Sequence, residues 1–139
     1  MKQILFVIAI VIAQFTNAQS GCDKAKQTLQ NYIDGSSYNK LNLLKSAFTE
    51  DATLYLTGKD GTFKRYTPGE YANFFKNKKE GAFNGRVGKI LQVDVEKDIA
   101  TAKVEISNPK FGWTYIDLFL LKETENGWRI ISKTATKVK

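Results

Sequence analysis

The sequence of 139 residues contains no histidine, a single cysteine and only two prolines. Without histidine the chain lacks the commonest general base, the Ser-His and Cys-His nucleophile pairs and most transition-metal sites. Gly81, Gly85 and Gly88 have neither the spacing nor the strand-to-helix setting of a phosphate-binding loop. We therefore expect no metal and no cofactor, and any proton chemistry must come from carboxylates and phenols.

Positive charges outnumber negative ones by seven, but they are scattered along the chain. The densest group, Lys76, Lys78 and Lys79, is followed at once by Glu80. A nucleic-acid surface would show a basic stripe or a known motif, so we expect no nucleic-acid partner. The length and the 42% hydrophobic content fit one folded domain.

The first 18 residues have the pattern of an export signal. Lys2 precedes an uninterrupted apolar run from Ile4 to Ala13, and small residues stand at Thr16 and Ala18. The run has the length of a signal-peptide core and is too short to span a bilayer. We expect residues 1–18 to be removed and residues 19–139 to form a single domain, exported to the periplasm or secreted, with no stable membrane span.

Cys22 leaves an alternative open for the mature N-terminus. It follows Ser20 and Gly21, and small residues before a cysteine at this place resemble a bacterial lipoprotein signal. Gln19 stands where that signal usually has leucine. The alternatives are therefore a soluble exported protein with a free thiol and a lipoprotein anchored at Cys22.

Helices come first in the predicted order and strands last. Apolar residues at helical spacing predict helices over 23–34 and 39–48, and Gly35-Ser36-Ser37 ends the first of them. Thr67-Pro68-Gly69-Glu70 is a capping box that starts a third helix reaching about Lys78. Short strands are predicted over 52–56 and 63–66 around an Asp60-Gly61 turn, and alternating patterns from Val87 onward predict a meander of four strands. This order indicates an α+β fold.

The strand that begins at Trp113 is apolar on both faces, and an Asn126-Gly127 turn connects it to the last strand. A strand of this kind is covered on both sides or lines an enclosed space. Asp117 lies on the aromatic face of this strand, between Tyr115 and Phe119, where a charge is costly unless something pairs with it.

Six segments in a fixed order resemble a known family. They are Tyr32-Ile33-Asp34-Gly35, Ala47-Phe48 with Asp51-Ala52, Thr67-Pro68-Gly69-Glu70-Tyr71, Ile99 to Val104, Tyr115-Ile116-Asp117, and Gly127 to Lys133. Together they resemble the nuclear transport factor 2-like superfamily, specifically its "putative lumazine-binding" branch, over about residues 22–137. The resemblance implies a curved antiparallel sheet wrapped around about three helices, forming a cone with a pocket at its open end.

The resemblance leaves the reaction open, because this superfamily contains isomerases, dehydratases, cyclases and binding modules. A pocket in the cone would hold a small apolar or aromatic ligand. We expect its wall to include Tyr32, Tyr55, Tyr71, Phe74, Phe75, Arg86 and Trp113. Arg86 could clamp a ligand carboxylate or pair with a surface acid.

Asp117 and Tyr115 are the candidate catalytic residues. Related enzymes of the superfamily use Asp and Tyr to move protons beside a carbonyl, and desolvation would make Asp117 a usable proton carrier. The alternative is a structural acid paired with Arg86, Arg129 or Lys133. A carboxylate that faces a cavity beside a tyrosine and has no cationic partner would favour an enzyme, whereas a carboxylate tied to Arg or Lys would favour a binding or structural role.

The absence of a catalytic constellation favours a non-catalytic module that binds a small ligand or a protein. The alternative is a cofactor-free isomerase or lyase, with Asp117 as base and Tyr32, Tyr55 or Tyr115 as hydrogen-bond donor. We also expect a homodimer through the outer sheet face, where apolar side chains would be exposed in a single chain: Ile116, Leu118, Leu120 and Ile131.

Overall fold

A six-stranded sheet with helices on one face makes up the domain in a computed structural model. The structure describes residues 2–58 and 60–139, with side chains from residue 20 onward. The predicted export signal therefore falls on residues whose side chains are not described, and it stays a prediction. No helix of the described chain is both long and apolar enough to cross a membrane. The elements are α1 (Lys2–Ser37), α2 (Leu41–Ser46), β1 (Phe48–Thr57), β2 (Phe63–Tyr66), α3 (Pro68–Ala72), a 3-10 turn (Asn73–Phe75), β3 (Val87–Glu96), β4 (Ile99–Asn108), β5 (Trp113–Thr124) and β6 (Gly127–Lys137).

The strands lie in the order β2-β1-β6-β5-β4-β3, and the sheet is curved and not closed. Neighbours are antiparallel except β1 and β6, which are parallel because the chain crosses the sheet between them. The predicted α+β class and the four-strand meander are confirmed. The third helix is shorter than expected: α3 ends at Ala72 and continues only as the 3-10 turn.

The two faces of the sheet differ in burial because side chains alternate along each strand. On β4 the inward residues Ala100, Ala102, Val104 and Ile106 are buried. On β5 the same face carries Asp117, Phe119 and Leu121, and the outer face carries Leu118 and Leu120, each 49% exposed. The helices cover the inner face, so the core lies between them and the concave side of the sheet.

Two glycines allow α1 to pack closely. A Cβ at Gly88 on β3 would lie 2.6 Å from the Ile33 side chain of α1. A Cβ at Gly35 would lie 2.6 Å from the backbone of Leu44 in α2. α1 ends at Ser37, the last residue of the predicted Gly35-Ser36-Ser37 helix end. Gly35 lies in the last turns of the helix, and its missing side chain makes room for α2.

Candidate functional site

The capping box at residues 67–70 places the first side chain of the candidate site. Thr67 accepts a hydrogen bond from the Glu70 backbone at 3.2 Å, and Glu70 accepts one from the Thr67 backbone at 2.8 Å. The Thr67 hydroxyl also donates to the Glu70 carboxylate at 3.0 Å. The pKa of Glu70 is lowered most by the hydrogen bond from the Thr67 backbone and next by the one from the Thr67 hydroxyl. With its start fixed in this way, α3 directs Tyr71 into the core, where it is 5% exposed.

Asp117 lies at the centre of a buried polar cluster on the inner face. Its Oδ2 lies 3.1 Å from Nζ of Lys133 and accepts a 2.7 Å hydrogen bond from the Tyr32 hydroxyl. The hydroxyls of Tyr32 and Tyr71 are 2.9 Å apart. Asp117 is 2% exposed and Lys133 3%. The lone acid predicted from the sequence thus has a lysine partner and a tyrosine partner.

Aromatic rings enclose this cluster and shield it from water. The Tyr32 ring lies 5.0 Å from that of Phe119 and 6.0 Å from that of Phe48, both in edge-on contact. The ammonium of Lys133 lies 5.4 to 5.8 Å from the rings of Tyr71, Tyr32 and Phe119. Burial, together with the charge of Asp117 and the neighbouring Tyr71, raises the pKa of Tyr32 well above its ordinary value, so this phenol stays protonated.

Arg86 precedes β3 and extends its guanidinium toward the same cluster. The guanidinium carbon lies 5.3 Å from the centre of the Phe75 ring and 5.7 Å from that of Trp113. Burial disfavours its charge, but Tyr71, Tyr32 and Asp117 more than offset this, and the pKa of Arg86 is raised. The buried Nε has no hydrogen-bond partner among the described residues.

The inner face opens toward the Trp113 end of β5. Trp113 and Tyr115 are half-buried, whereas Asp117, Phe119 and Leu121 farther along the same face are buried. The rings of Trp113 and Tyr115 meet edge to face at 5.6 Å. Arg86, also half-buried, joins them. We call Arg86, Trp113 and Tyr115 the open-end group.

Most of the residues predicted for the pocket wall come together, but one does not. The connected set consists of Tyr32, Tyr71, Phe75, Arg86 and Trp113, because the rings of Tyr71 and Phe75, 5.7 Å apart, join the contacts described above. Phe74 contacts the Tyr71 ring at 5.7 Å but is 54% exposed, so it lies at the edge of this set.

Tyr55 must be corrected, because it lies on the outer face. Leu54 of β1 is buried on the inner face and pairs with Lys133, so the next residue, Tyr55, points the other way, beside Thr134. Its ring stacks on that of Phe63 at 5.7 Å. Tyr55 therefore does not belong to the inner-face wall or to the Asp117 cluster.

Sequence reasoning missed a set of asparagines that holds the segment before Arg86. The Asn84 side chain donates to Ser36 O and to Asn39 Oδ1, each at 2.7 Å, and its Oδ1 accepts from the Arg86 backbone at 3.1 Å. Asn39 in turn donates to the carbonyls of Lys79 and Ala82. The one local signal is the position of Asn39 after a helix, where its φ of 56° suits an asparagine.

Three surface clefts are lined mostly by residues outside the Asp117 cluster, although Phe119 and Lys133 also line the first of them. A cleft of about 520 Å³ on the outer face is lined by Tyr55, Phe63, Leu118, Leu120 and neighbouring polar residues. A second, of about 790 Å³, lies beside Phe83 and Phe111, and a third, of about 910 Å³, lies beside Lys45 and Arg129. None of the three is lined by Tyr32, Tyr71 or Asp117.

Comparison with solved structures identifies the fold. A nuclear transport factor 2-like protein of unknown function from Shewanella baltica superposes with a TM-score of 0.73 at 18% identity, covering 84% of this chain and 93% of that chain. One from Methylobacillus flagellatus gives 0.71 at 21% identity, with 84% and 91% covered. A ketosteroid isomerase-like protein from Erwinia carotovora atroseptica gives 0.63 at 17% identity, with 85% and 96% covered. At these identities the likeness shows a shared fold and not a shared reaction.

Comparison of the sequence with families gives a more specific result. No curated protein sequence matches the chain. The model of the family described as "Putative lumazine-binding" matches residues 21–135. That range includes every strand from β1 to β5 and nearly all of β6. The chain therefore belongs to the "Putative lumazine-binding" family, and it has the fold of the nuclear transport factor 2-like proteins.

Proposed function

We propose that this domain binds a small, partly apolar ligand at the open-end group and carries out no reaction on it. The observation that carries the proposal is the pairing of Asp117 with Lys133 inside the ring of aromatic side chains. A buried carboxylate that is tied to an ammonium and to a phenol is committed to the folded structure. It is therefore not available as a general base that accepts a proton from a substrate.

The open-end group offers the right surfaces for a flat ligand. Trp113 and Tyr115 present half-buried rings, on which an aromatic ring can stack. Phe75 is buried behind them, against the guanidinium of Arg86. The family description names lumazine, which is a flat heteroaromatic compound, so lumazine is a reasonable first probe.

Calorimetric titration with lumazine and with 2-naphthamide tests the proposal. We expect saturable binding of at least one of the two probes, weakened at least tenfold by Trp113→Ala. Phe63→Ala, which removes a ring of the outer-face cleft, is the matched control and should leave binding unchanged. Absence of binding by both probes, or loss of binding in Phe63→Ala alone, would contradict the proposal.

A cofactor-free isomerase or lyase is the second candidate. The observation in its favour is the linked set of Tyr71, Tyr32 and Asp117 oxygens, separated by 2.9 and 2.7 Å, which resembles a proton-transfer chain. The ammonium of Lys133 beside the acid argues against it. Once a turned-over compound is known, a folded Asp117→Asn variant that retains turnover would remove this candidate.

We also propose a homodimer through the outer sheet face. Leu118 and Leu120 are each 49% exposed there, and Ile131 is 38% exposed. Tyr55 and Phe63 extend the same apolar surface across β1 and β2. Exposed apolar patches of this kind mark protein interfaces.

Export remains a proposal from the sequence. The intact mass of the protein recovered from the native host decides between the alternatives. A mature chain that starts at Gln19 supports the soluble form, and a lipid-modified chain that starts at Cys22 supports the anchored form. A chain retaining Met1 in the cytoplasm would contradict both.

A further inference from the structure

We propose that the ligand is an anion with a flat ring system, such as an aryl carboxylate, and that Arg86 pairs with its negative charge. This inference rests on the proposed function, because it specifies the ligand of that same site. Its starting point is the imbalance of charge in the interior of the domain.

The polar cluster contains two cations and one anion. Asp117 forms its ion pair with Lys133. No carboxylate of the described residues forms an ion pair with Arg86, whose guanidinium lies inward of β3 against Phe75 and Trp113. The charge of Arg86 is favoured at a distance by Tyr71, Tyr32 and Asp117, which raise its pKa. Within the described part of the chain, however, no carboxylate contacts the guanidinium directly, so a ligand carboxylate can form the ion pair that is missing there.

A second observation, an unused hydrogen-bond donor on the Arg86 side chain, also indicates that Arg86 can bind an anion. Its Nε is buried and has no partner among the described residues. A guanidinium has five N–H donors in one plane, and two of them match the two oxygens of a carboxylate. The rings of Phe75 and Trp113 add the apolar contacts that a flat ligand body requires.

The position of Arg86 is fixed before any ligand binds. Its backbone N–H donates to Asn84, whose side chain is held by Ser36 at the end of α1 and by Asn39. A binding group that is already held in place loses little conformational entropy on binding. The asparagine set thus fixes the backbone from which the side chain of the anion-binding arginine extends.

Titration with a matched pair of probes tests the inference. 2-Naphthoate and 2-naphthamide have the same ring system and differ in charge. We expect the wild-type protein to bind 2-naphthoate at least tenfold more tightly than 2-naphthamide. In Arg86→Gln this preference should vanish, with 2-naphthamide still binding. Equal affinities in the wild type, or a preference that survives in Arg86→Gln, would overturn the inference and leave the proposed function standing. Failure of 2-naphthoate to bind the wild type would also overturn the inference, and failure of lumazine, 2-naphthoate and 2-naphthamide together would overturn the proposed function as well.

Thermal melting separates a ligand-binding arginine from a structural one. In Arg86→Met the apolar stem is kept and the charge, which no carboxylate of the described chain contacts directly, is lost, so the melting temperature without ligand should fall only slightly. Saturating 2-naphthoate should raise the melting temperature of the wild type but not of Arg86→Met. A large drop in Arg86→Met, with the same upward shift from 2-naphthoate in both proteins, would show that Arg86 supports the fold and not the ligand.

Discussion

Lys133 and Asp117 form an ion pair in the interior of the domain, with 3.1 Å between Nζ and Oδ2. Simple alternation along β6 would not bring them together, since Trp128 and Ile130 point inward and Lys133 is an odd number of residues farther on. The pairing of β5 with β6 shifts at Ile131, and this bulge turns Lys133 toward the inner face. The central contact of the site therefore depends on one irregularity in the sheet.

The charges around this ion pair predict that substituting Asp117 and substituting Lys133 will destabilise the protein to different extents. Asp117→Asn leaves Lys133 and Arg86 as two interior cations without an acid, and we expect a loss of about 3–5 kcal/mol in the free energy of unfolding. Lys133→Met leaves one cation and one anion, so we expect a smaller loss. Urea denaturation of the wild type, Asp117→Asn and Lys133→Met at neutral pH measures both losses of unfolding free energy.

A double variant provides the control for this prediction. Adding Arg86→Met to Asp117→Asn removes one of the unpaired cations and should recover part of the lost stability. Equal losses from the two single variants, or no recovery in the double variant, would mean that Arg86 does not share the electrostatic environment of Asp117.

Tyr32 predicts a loss of stability at alkaline pH. The pKa of Tyr32 is raised in the folded protein, chiefly by burial and then by Asp117, whereas an unfolded tyrosine ionises near pH 10. The stabilisation is therefore complete below about pH 10 and falls as the pH rises through the folded pKa. Chemical denaturation between pH 8 and about pH 11 should show a decline that is shallower in Tyr32→Phe.

The same variant also tests the hydrogen bond to Asp117. Loss of a hydrogen bond to a charged acceptor predicts that Tyr32→Phe is less stable than the wild type by about 1.5–3 kcal/mol at neutral pH. A variant as stable as the wild type, with the same alkaline slope, would show that the phenol is not held as described.

The close approach of α1 to β3 at Gly88 predicts that a side chain at this position will destabilise the protein. A Cβ at this position would lie 2.6 Å from Ile33, so Gly88→Ala should destabilise the protein by about 1–3 kcal/mol through overpacking. Gly69→Ala is the matched control, because the nearest atom to its Cβ would be the Thr67 hydroxyl oxygen at 4.0 Å. Thermal melting should show a clear drop for the first variant and little change for the second. Similar melting temperatures would contradict the packing described.

The outer face predicts the oligomeric state. Leu118→Lys places a charge in the middle of the apolar surface and should convert a dimer to a monomer in size-exclusion chromatography with light scattering. Phe83→Lys changes another exposed apolar residue, which lies outside that surface, and should leave the dimer intact. A wild-type protein that stays monomeric at high concentration would rule out the proposed dimer.

Features set by local chemistry could be predicted from the sequence. The capping box at Thr67 and Glu70 and the turns at Asp60-Gly61 and before Gly127 depend on residues that are neighbours in the chain. The alternation of β4 likewise identified its buried face. On β3, Val93 and Val95 are half-buried as the alternation predicts, but Leu91 lies at a shift in register and is exposed. The aromatic setting of Asp117 followed from its position between Tyr115 and Phe119.

Features that depend on distant contacts could not be predicted. Arg86, Arg129 and Lys133 were equal candidates for the partner of Asp117, because strand pairing and the bulge at Ile131 decide which of them points inward. The helix end at Gly35-Ser36-Ser37 was predicted, but the close approach of α2 to Gly35 depends on the packing of the two helices and was not. The outward direction of Tyr55 could have been predicted from the sequence, since Leu54 and Leu56 on either side of it mark the inner face.

Chemical-shift mapping by NMR tests the central claim, ligand binding at the open end of the inner face, most directly. The two tryptophans give an internal control, because Trp113 is half-buried at the open end and Trp128 is 2% exposed in the core. On addition of 2-naphthoate, the account predicts shifts at the Trp113 indole N–H and the Arg86 backbone, with the Trp128 indole unchanged. Shifts confined to Tyr55, Phe63 and Leu118 on the outer face, or no shifts at all, would contradict it.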